Sequence, residues 1–174
     1  NLFLQTMKSD KYELKRKAAL QIVSKKGLQF MFLDEQFKKD RQIALAAVKN
    51  DPETLAYVGE FTKDKEIVLT ALRNGKEWKA YQYAHISIRE NRRIAMMVLR
   101  ENGSAFQHVP QSLKKDKAFT MEAVKLNWEA LKYAPYDLQQ DKDVVLAAVR
   151  NNWRAVTFAG SKVKRDKDVL SALA

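Results

Sequence analysis

Hydrophobic and polar residues follow one another along this chain in a pattern that recurs about every 25 residues. The clearest copy, residues 141–152, reads Asp-Lys-Asp-Val-Val-Leu-Ala-Ala-Val-Arg-Asn-Asn. The opening residues of the copies are Asp40, Asp64, Asn91, Asp116, Asp141 and Asp166, which gives steps of 24, 27, 25, 25 and 25 residues. A nearly fixed period of this length is the signature of a repeat protein.

Each copy begins with the pattern of an α-helix. If the opening Asp or Asn is counted as position 0, apolar residues occupy positions 3, 4, 5, 7 and 8. At about 100° per residue these positions cover more than half of a helix circumference, so we expect a first helix that is buried on most sides. The opening residue is the predicted N-cap, because its side chain can accept hydrogen bonds from the free backbone N–H groups of the first turn.

A second, shorter helix is predicted after position 11. This position holds residues that tolerate the left-handed conformation in which many helices end: Asp51, Gly75, Asn102, Asn127 and Asn152. An aromatic-rich position follows within the second helix: Tyr57, Tyr83, His108, Tyr133 and Phe158. Two residues later the chain usually carries Gly or Pro, which predicts the end of that helix.

Helices this short cannot bury their apolar faces alone, so neighbouring copies must stack. The sequence therefore predicts an all-α fold, an α-solenoid of about six stacked helix-turn-helix repeats, in one domain over residues 1–174. The predicted repeats are 15–39, 40–63, 64–90, 91–115, 116–140 and 141–165, followed by a half-repeat at 166–174. The first repeat is degenerate, with its helix expected to begin near Ser9 or Asp10, and two residues are inserted at Lys76 and Glu77.

Three segments of the repeat carry a resemblance to a known family. They are Asp-Lys-x-Val-Val-Leu-Ala-Ala-Val-(Lys/Arg)-x-Asn, then Ala-Leu-x-Tyr-Ala, then Leu-Lys-x-Asp, with the best match over residues 116–170 and weaker matches over 40–115 and 15–39. In these segments the chain resembles the bacterial repeat family called domain of unknown function 4116. The resemblance implies tandem helical repeats, which also occur in secreted effectors of intracellular bacteria, and no assigned catalytic residues.

The charge of the chain indicates which classes of partner it suits. There are 32 Lys and Arg against 21 Asp and Glu, a formal charge of +11, which suits a nucleic acid, an anionic membrane or an acidic protein. The absence of cysteine excludes disulfides and thiolate metal sites. The chain contains no run of 18 apolar residues, so the sequence predicts no transmembrane helix. Residues 1–7 do not resemble a signal peptide. We expect a cytoplasmic protein, or one translocated into a host cell if it belongs to a secreted effector.

The main candidate for a binding surface is the face of the first helix that the apolar positions leave open. Position 9 on this face is basic in each complete copy, and we call these residues the ladder: Lys49, Arg73, Arg100, Lys125 and Arg150. Side-by-side packing of the first helices would place these cations about 8–10 Å apart. The alternative is that each cation only complements the helix dipole, an effect of about 0.3–1 kcal/mol.

A second basic set lies at position 1, and we call it the ridge: Arg41, Lys65, Arg92, Lys117, Lys142 and Lys167. A cation in the first turn opposes the helix dipole, so these residues require a compensating partner. We expect a solvated edge that is balanced by the Asp caps and by acidic residues of neighbouring repeats, with ligand binding as the alternative.

Other candidate chemistry is sparse. Trp78, Trp128 and Trp153 begin the second helices, where they either pack between repeats or stack on nucleic-acid bases. His85 and His108 are the only histidines, and without cysteine they form no zinc motif. His108 stands where other copies carry Tyr or Phe, which indicates a core substitution. We predict no metal, cofactor, small-molecule substrate or enzymatic activity.

The sequence thus favours a non-catalytic scaffold that binds a macromolecular partner, with an acidic protein surface as the leading candidate. Electrostatic binding of nucleic acid or an anionic membrane is a second hypothesis. The third is that the chain is an accessory repeat segment of a larger enzyme or of a secreted bacterial effector.

Overall fold

The computed structural model describes residues 2–73 and 78–174, and every regular element in this part of the chain is helical. The long helices are α1 (Leu2–Lys25), α3 (Arg41–Asn50), α4 (Lys65–Arg73), α6 (Arg92–Glu101), α8 (Lys117–Leu126) and α10 (Lys142–Asn151). The prediction of an all-helical repeat protein is confirmed. The expected start of the first helix near Ser9 or Asp10 is wrong, since α1 begins at Leu2. Gly75 and the insertion at Lys76 and Glu77 lie outside the described residues.

Each repeat contains more helical elements than the two that were predicted. Six-residue 3₁₀ helices follow the long helices at Gly27–Phe32, Pro52–Tyr57, Trp78–Tyr83, Gly103–His108, Trp128–Tyr133 and Trp153–Phe158. A single α-helical turn then appears in four repeats, as α2 (Glu35–Lys38), α5 (Ile86–Arg89), α7 (Gln111–Lys114) and α9 (Tyr136–Gln139). The other two repeats have 3₁₀ turns there, Gly59–Lys63 and Val163–Arg165, and α11 (Lys167–Ser171) begins the last copy.

The residue at position 0 caps each of the helices it opens. The side chain of Asp141 accepts hydrogen bonds from the backbone N–H groups of Asp143 and Val144, at 3.0 and 3.2 Å. Equivalent bonds are accepted by Asp40, Asp64, Asn91, Asp116 and Asp166. These bonds satisfy donors that would otherwise lack a partner, so the predicted caps fix where the helices begin.

Position 11 ends the long helix as predicted, but by a different mechanism. Asn152 has φ −155° and ψ 123°, an extended conformation and not the expected left-handed one. Its side chain accepts a hydrogen bond from the N–H of Arg154 at 3.0 Å and thereby caps the following 3₁₀ helix. Asp51, Asn102 and Asn127 do the same. One Asp or Asn thus forms the joint between two helices.

The chain forms two compact units, one that extends to Ala84 and one that comprises His85–Ala174. In the first unit α1 packs on α3 and α3 on α4, while in the second unit α8 packs on both α6 and α10. The 3₁₀ helices of consecutive repeats also pack on one another within each unit. Each unit is therefore a layer of long helices beside a layer of 3₁₀ helices. The assignment of residues 1–174 to a single domain stays a prediction.

The core of each unit is formed by positions 3, 4, 7 and 8 of the long helices, as in α10, where Val144, Val145, Ala148 and Val149 are all buried. These positions span an arc of about 140°, which is less than predicted. The apolar residues at position 5 are only half-buried: Leu45, Leu69, Met96, Met121 and Leu146. The expectation that the first helix is buried on most sides was therefore wrong, because position 5 lies on the open face.

No helix within the described part of the chain is both long enough and apolar enough to cross a membrane.

Candidate functional site

The ridge cations bind the acidic residues at the start of the next long helix. Lys117 Nζ lies 2.8 Å from Oδ2 of the cap Asp141 and 3.0 Å from Oδ2 of Asp143. Lys142 pairs in the same way with Asp166, at 3.2 Å, and with Asp168. We call this arrangement of one cation with the acids of the following repeat a clasp.

The two arginines of the ridge that form clasps use both sides of the guanidinium group. Arg41 bonds Asp64 at 2.7 Å and Glu66 at 2.5 Å. Arg92 bonds Asp116 at 3.0 Å, but its second partner is Glu122, at 2.9 Å, because position 2 of that repeat holds Ala118. The clasps supply the compensating charge that a cation in the first turn of a helix requires.

The clasps change the acidity of the caps. The Arg41 guanidinium, helped by the backbone N–H groups of Ile67 and Glu66, holds the pKa of the Asp64 carboxyl below its ordinary value. At Asp141 partial burial opposes ionisation, but the hydrogen bonds from Lys117 and the backbone outweigh it and lower the pKa as well. The carboxylates therefore stay charged in the folded chain to a lower pH than in free peptides.

The degenerate first repeat also forms a clasp, which sequence reasoning missed. Arg16 Nε lies 2.6 Å from Oδ2 of Asp40, and Arg16 Nη2 donates to Gln42 Oε1 at 2.6 Å. The signal was present, since Arg16 stands at position 1 if the repeat begins at Lys15. Lys65 and Lys167 make no ion pair with any residue that the structure describes.

The ladder cations occupy a different environment from the ridge. All five side chains are exposed, with Lys49 and Arg73 in the first unit and Arg100, Lys125 and Arg150 in the second. Within residues 2–73 and 78–174, none of the five forms a side-chain ion pair. Four of the six ridge cations are thus engaged between repeats, whereas no ladder cation makes an ion pair with a described residue.

A groove between α8 and α10 brings two ladder residues together. It has a volume of about 390 Å³ and is lined by Met121, Lys125, Asp143, Leu146, Ala147 and Arg150. At one end of the groove, Asn151 Nδ2 donates a hydrogen bond to the carbonyl oxygen of Lys125 at 2.7 Å. This bond fixes the position of α10 along α8. The groove therefore combines an apolar floor with two exposed cations on a fixed pair of helices.

The equivalent groove of the first unit, between α1 and α3, has the same register but different chemistry. Asn50 Nδ2 donates to the carbonyl oxygen of Ser24 at 3.1 Å, as Asn151 does to Lys125. This groove, of about 440 Å³, is lined by Ser24, Ala46, Lys49 and Asn50. Ser24 occupies the position of Lys125, so one ladder cation lines it and not two.

The family model described as Domain of unknown function (DUF4116) matches residues 16–61, 64–114, 91–139 and 116–164. The chain belongs to the DUF4116 family. Comparison with curated proteins and with solved structures gave no significant match.

The tryptophans of this DUF4116 chain do not share one environment. The ring of Trp128 stacks on Phe158 of the next repeat, with centroids 5.8 Å apart and planes at 15°. Trp78 is half-buried, whereas Trp153 is 60% exposed, with the Arg154 guanidinium 5.3 Å from its ring centroid. Trp128 thus packs between repeats, which is the structural alternative that the sequence left open.

The two histidines of the DUF4116 chain also differ. His85 Nδ1 accepts a hydrogen bond from the N–H of Ser87 at 3.2 Å and so caps α5. His108 is half-buried, and burial together with the charges of Arg89 and Lys114 lowers its pKa. The described residues contain no cluster of three or more His, Cys, Asp or Glu side chains that could hold a metal ion.

Proposed function

We propose that this chain is a non-catalytic helical-repeat scaffold whose long helices present the ladder to an acidic surface of a partner protein. The observation that supports the proposal is the contrast between the two basic sets. Most ridge cations are engaged in clasps, whereas the ladder cations are exposed and form no ion pair in the described part of the chain. Exposed cations that lack internal partners provide an attractive potential for an anionic ligand.

We also propose that the repeats stack as an α-solenoid with a period of about 25 residues. Support comes from the packing of consecutive long helices and consecutive 3₁₀ helices within each unit. Stacking of this kind presents equivalent positions side by side, about 8–10 Å apart. A cytoplasmic location, or one inside a host cell for a segment of a secreted bacterial effector or larger enzyme, remains part of the proposal.

Nucleic acid is the second candidate, because the net charge of +11 favours any polyanion. The proposed spacing of the ladder does not match the axial repeat of the phosphates, which is about 3.4 Å per nucleotide along each strand of a duplex. Binding of nucleic acid would also fall steeply as salt rises, because counterions are released on binding. A protein partner recognised through shaped grooves would depend less on salt.

The test compares two variants with the same net charge. One changes all five ladder residues to Gln, and the control changes five exposed lysines away from the ladder: Lys11, Lys39, Lys63, Lys115 and Lys162. Each variant loses five positive charges, from +11 to +6. Fluorescence anisotropy is measured with a labelled ten-residue poly-glutamate peptide and with single-stranded and duplex oligonucleotides, across about 50–200 mM salt.

We expect the poly-glutamate peptide to bind the wild type and the control variant but not the ladder variant. Oligonucleotide binding that is tight, steeply salt-dependent and lost in the ladder variant would replace the acidic protein with nucleic acid. Equal losses in both variants would show that net charge and not the ladder carries binding, which would overturn the proposal.

A further inference from the structure

One apolar position of the long helices lies on their open face and is only half-buried. Position 5 carries Leu or Met in each complete repeat, yet none of these residues is buried. In α8 and α10 this position is Met121 and Leu146, and both line the groove that also contains Lys125 and Arg150. Apolar side chains that stay accessible beside cations are typical of a binding surface.

The charges in the groove between α8 and α10 are unequally compensated. Asp143 lies at the end nearer the start of α10, where the ammonium group of Lys117 lies 3.0 Å from its carboxylate. Lys125 and Arg150 lie in the last turns of their helices and make no side-chain ion pair with any described residue. Lys125 and Arg150 therefore attract a carboxylate of a ligand to their end of the groove.

The distance along the helices between the apolar residues of the groove and the cations determines which peptide conformation can contact both. Met121 and Lys125, like Leu146 and Arg150, are four residues apart on a helix, which corresponds to a rise of about 6 Å. In an extended peptide, residues two positions apart point to the same side and are separated by about 6.6 Å. An apolar side chain and a carboxylate in such a peptide can therefore reach the floor and the cations together.

We propose that the groove between α8 and α10 binds an extended segment of the partner protein in which an apolar residue and a Glu or Asp are two positions apart. This assignment rests on the proposed function and adds the chemistry of the ligand. The apolar side chain lies on Met121, Leu146 and Ala147, and the carboxylate lies between Lys125 and Arg150. The hydrogen bond from Asn151 to the Lys125 carbonyl holds both helices in register before binding, which reduces the entropic cost.

The first unit supplies a natural comparison. Its groove between α1 and α3 carries Lys49 but has Ser24 where the second groove has Lys125. One cation cannot bridge a carboxylate from both sides, so this groove should bind the same peptide more weakly.

The experiment uses the ¹⁵N-labelled full chain titrated with the peptide Gly-Ser-Leu-Ser-Glu-Ser-Gly, followed by the backbone amide shifts of the chain. Three further peptides change Leu to Ser, change Glu to Gln, or place Leu and Glu next to each other. The variant Lys125→Gln/Arg150→Gln is compared with Lys63→Gln/Lys162→Gln, which removes the same number of exposed positive charges away from the ladder and the grooves. Amide shift dispersion reports whether each variant is folded.

We expect saturable shifts in α8 and α10, centred on Met121, Lys125, Leu146 and Arg150. The affinity should fall at least about tenfold in Lys125→Gln/Arg150→Gln, because charge-assisted hydrogen bonds are lost, and change less than about twofold in the matched variant. Each of the three altered peptides should bind more weakly than the original. Shifts that are absent from α8 and α10, or that persist in Lys125→Gln/Arg150→Gln, would overturn the assignment.

Two outcomes separate this inference from the proposed function. If poly-glutamate binds through the ladder but the Leu peptide has no advantage over the Ser peptide, the ladder is functional and the groove assignment is wrong. If a single-stranded oligonucleotide shifts the same amides at lower concentration than the peptide, the groove belongs to a nucleic-acid surface, and the peptide assignment is overturned.

Discussion

Arg41 donates two hydrogen bonds to the carboxylate of Asp64, from Nε at 2.7 Å and from Nη2 at 3.2 Å. Asp64 simultaneously accepts hydrogen bonds from the backbone N–H groups of Glu66 and Ile67, at 3.0 and 3.2 Å. One carboxylate therefore starts a helix and attaches it to the preceding repeat. The two roles can be separated experimentally, because capping requires only an oxygen acceptor whereas the clasp requires a negative charge.

Replacing Asp64 by Ala should destabilise the chain more than replacing it by Asn. Ala removes the cap, which costs about 1 kcal/mol, whereas Asn still accepts the backbone hydrogen bonds, as Asn91 does in another repeat. The free energy of unfolding from urea titrations followed by circular dichroism measures both changes. Equal losses in the two variants would show that the charge of the clasp outweighs the cap.

The chain should lose stability in acid. The pKa of each Asp cap (Asp40, Asp64, Asp116, Asp141 and Asp166) lies below its ordinary value of 3.8 in the folded chain. As the pH falls, the unfolded chain binds protons first, so the stabilisation is complete above the ordinary pKa and is lost as the pH falls through the folded-state values. Unfolding free energies measured from pH 7 to about pH 3 should decrease below about pH 5.

The double variant Asp64→Asn/Asp141→Asn tests the origin of that decrease. It removes two of the titrating caps, so its stability should decline less steeply with acid than that of the wild type. Glu60→Gln is the control, since Glu60 is exposed and makes no ion pair within the described residues. If the unfolding free energy of the double variant falls with pH as steeply as that of the wild type, other carboxylates dominate acid unfolding.

His108 should add a second pH dependence, nearer neutrality. Burial, and then the charges of Arg89 and Lys114, lower its pKa from the ordinary 6.5. The unfolded chain therefore binds a proton before the folded chain does, and stability should fall as the pH drops below about 6.5 until it passes the folded-state pKa. The variant His108→Tyr carries the residue of other repeats at this position and should abolish this slope. NMR titration of the imidazole protons gives the pKa directly, and a value above 6.5 would contradict the prediction.

Thr54 and Thr120 should respond in opposite ways to replacement by Val. The buried hydroxyl of Thr54 has no hydrogen-bond partner among the described residues, and the equivalent position is Ala in other repeats. Thr120 Oγ1, also buried, donates to the carbonyl oxygen of Lys114 at 3.0 Å. Thr54→Val should therefore raise the free energy of unfolding by about 1 kcal/mol, and Thr120→Val should lower it by about 1–3 kcal/mol. Loss of stability in Thr54→Val would indicate an ordered water at that hydroxyl.

The caps and the long helices could be predicted from sequence because two independent signals coincide. Asp141 has a capping side chain, and Val144 and Val145 follow at the spacing of a buried helix face. Asn152 shows where this reasoning fails. Asn suits both the left-handed end of one helix and the cap of the next, and only the backbone conformation distinguishes the two. The second helix of each repeat was predicted at the right place, but its 3₁₀ form was not, because six residues are too few to separate a period of 3.0 from one of 3.6.

For a similar reason, only part of the candidate site could be predicted from the sequence. Leu146 looks like a core residue in the sequence, since hydrophobicity alone does not separate a buried position from the floor of a groove. The role of Arg16 was not predicted because its repeat has Lys15 at position 0, where the other repeats carry Asp or Asn. Helical geometry placed the ladder on the open face, and the exposure of its side chains agrees with this. Its role in binding stays a prediction.

The clasp has a consequence for how such a chain can evolve. A repeat such as 116–140 offers an acid to its predecessor, through Asp116, and a cation to its successor, through Lys117. A repeat with both residues can therefore form this ion pair with any other such repeat on either side, whereas the repeat that opens with Asn91 offers no acid to its predecessor. Unequal recombination between copies can then lengthen or shorten the array by whole modules without requiring new complementary mutations at the junction.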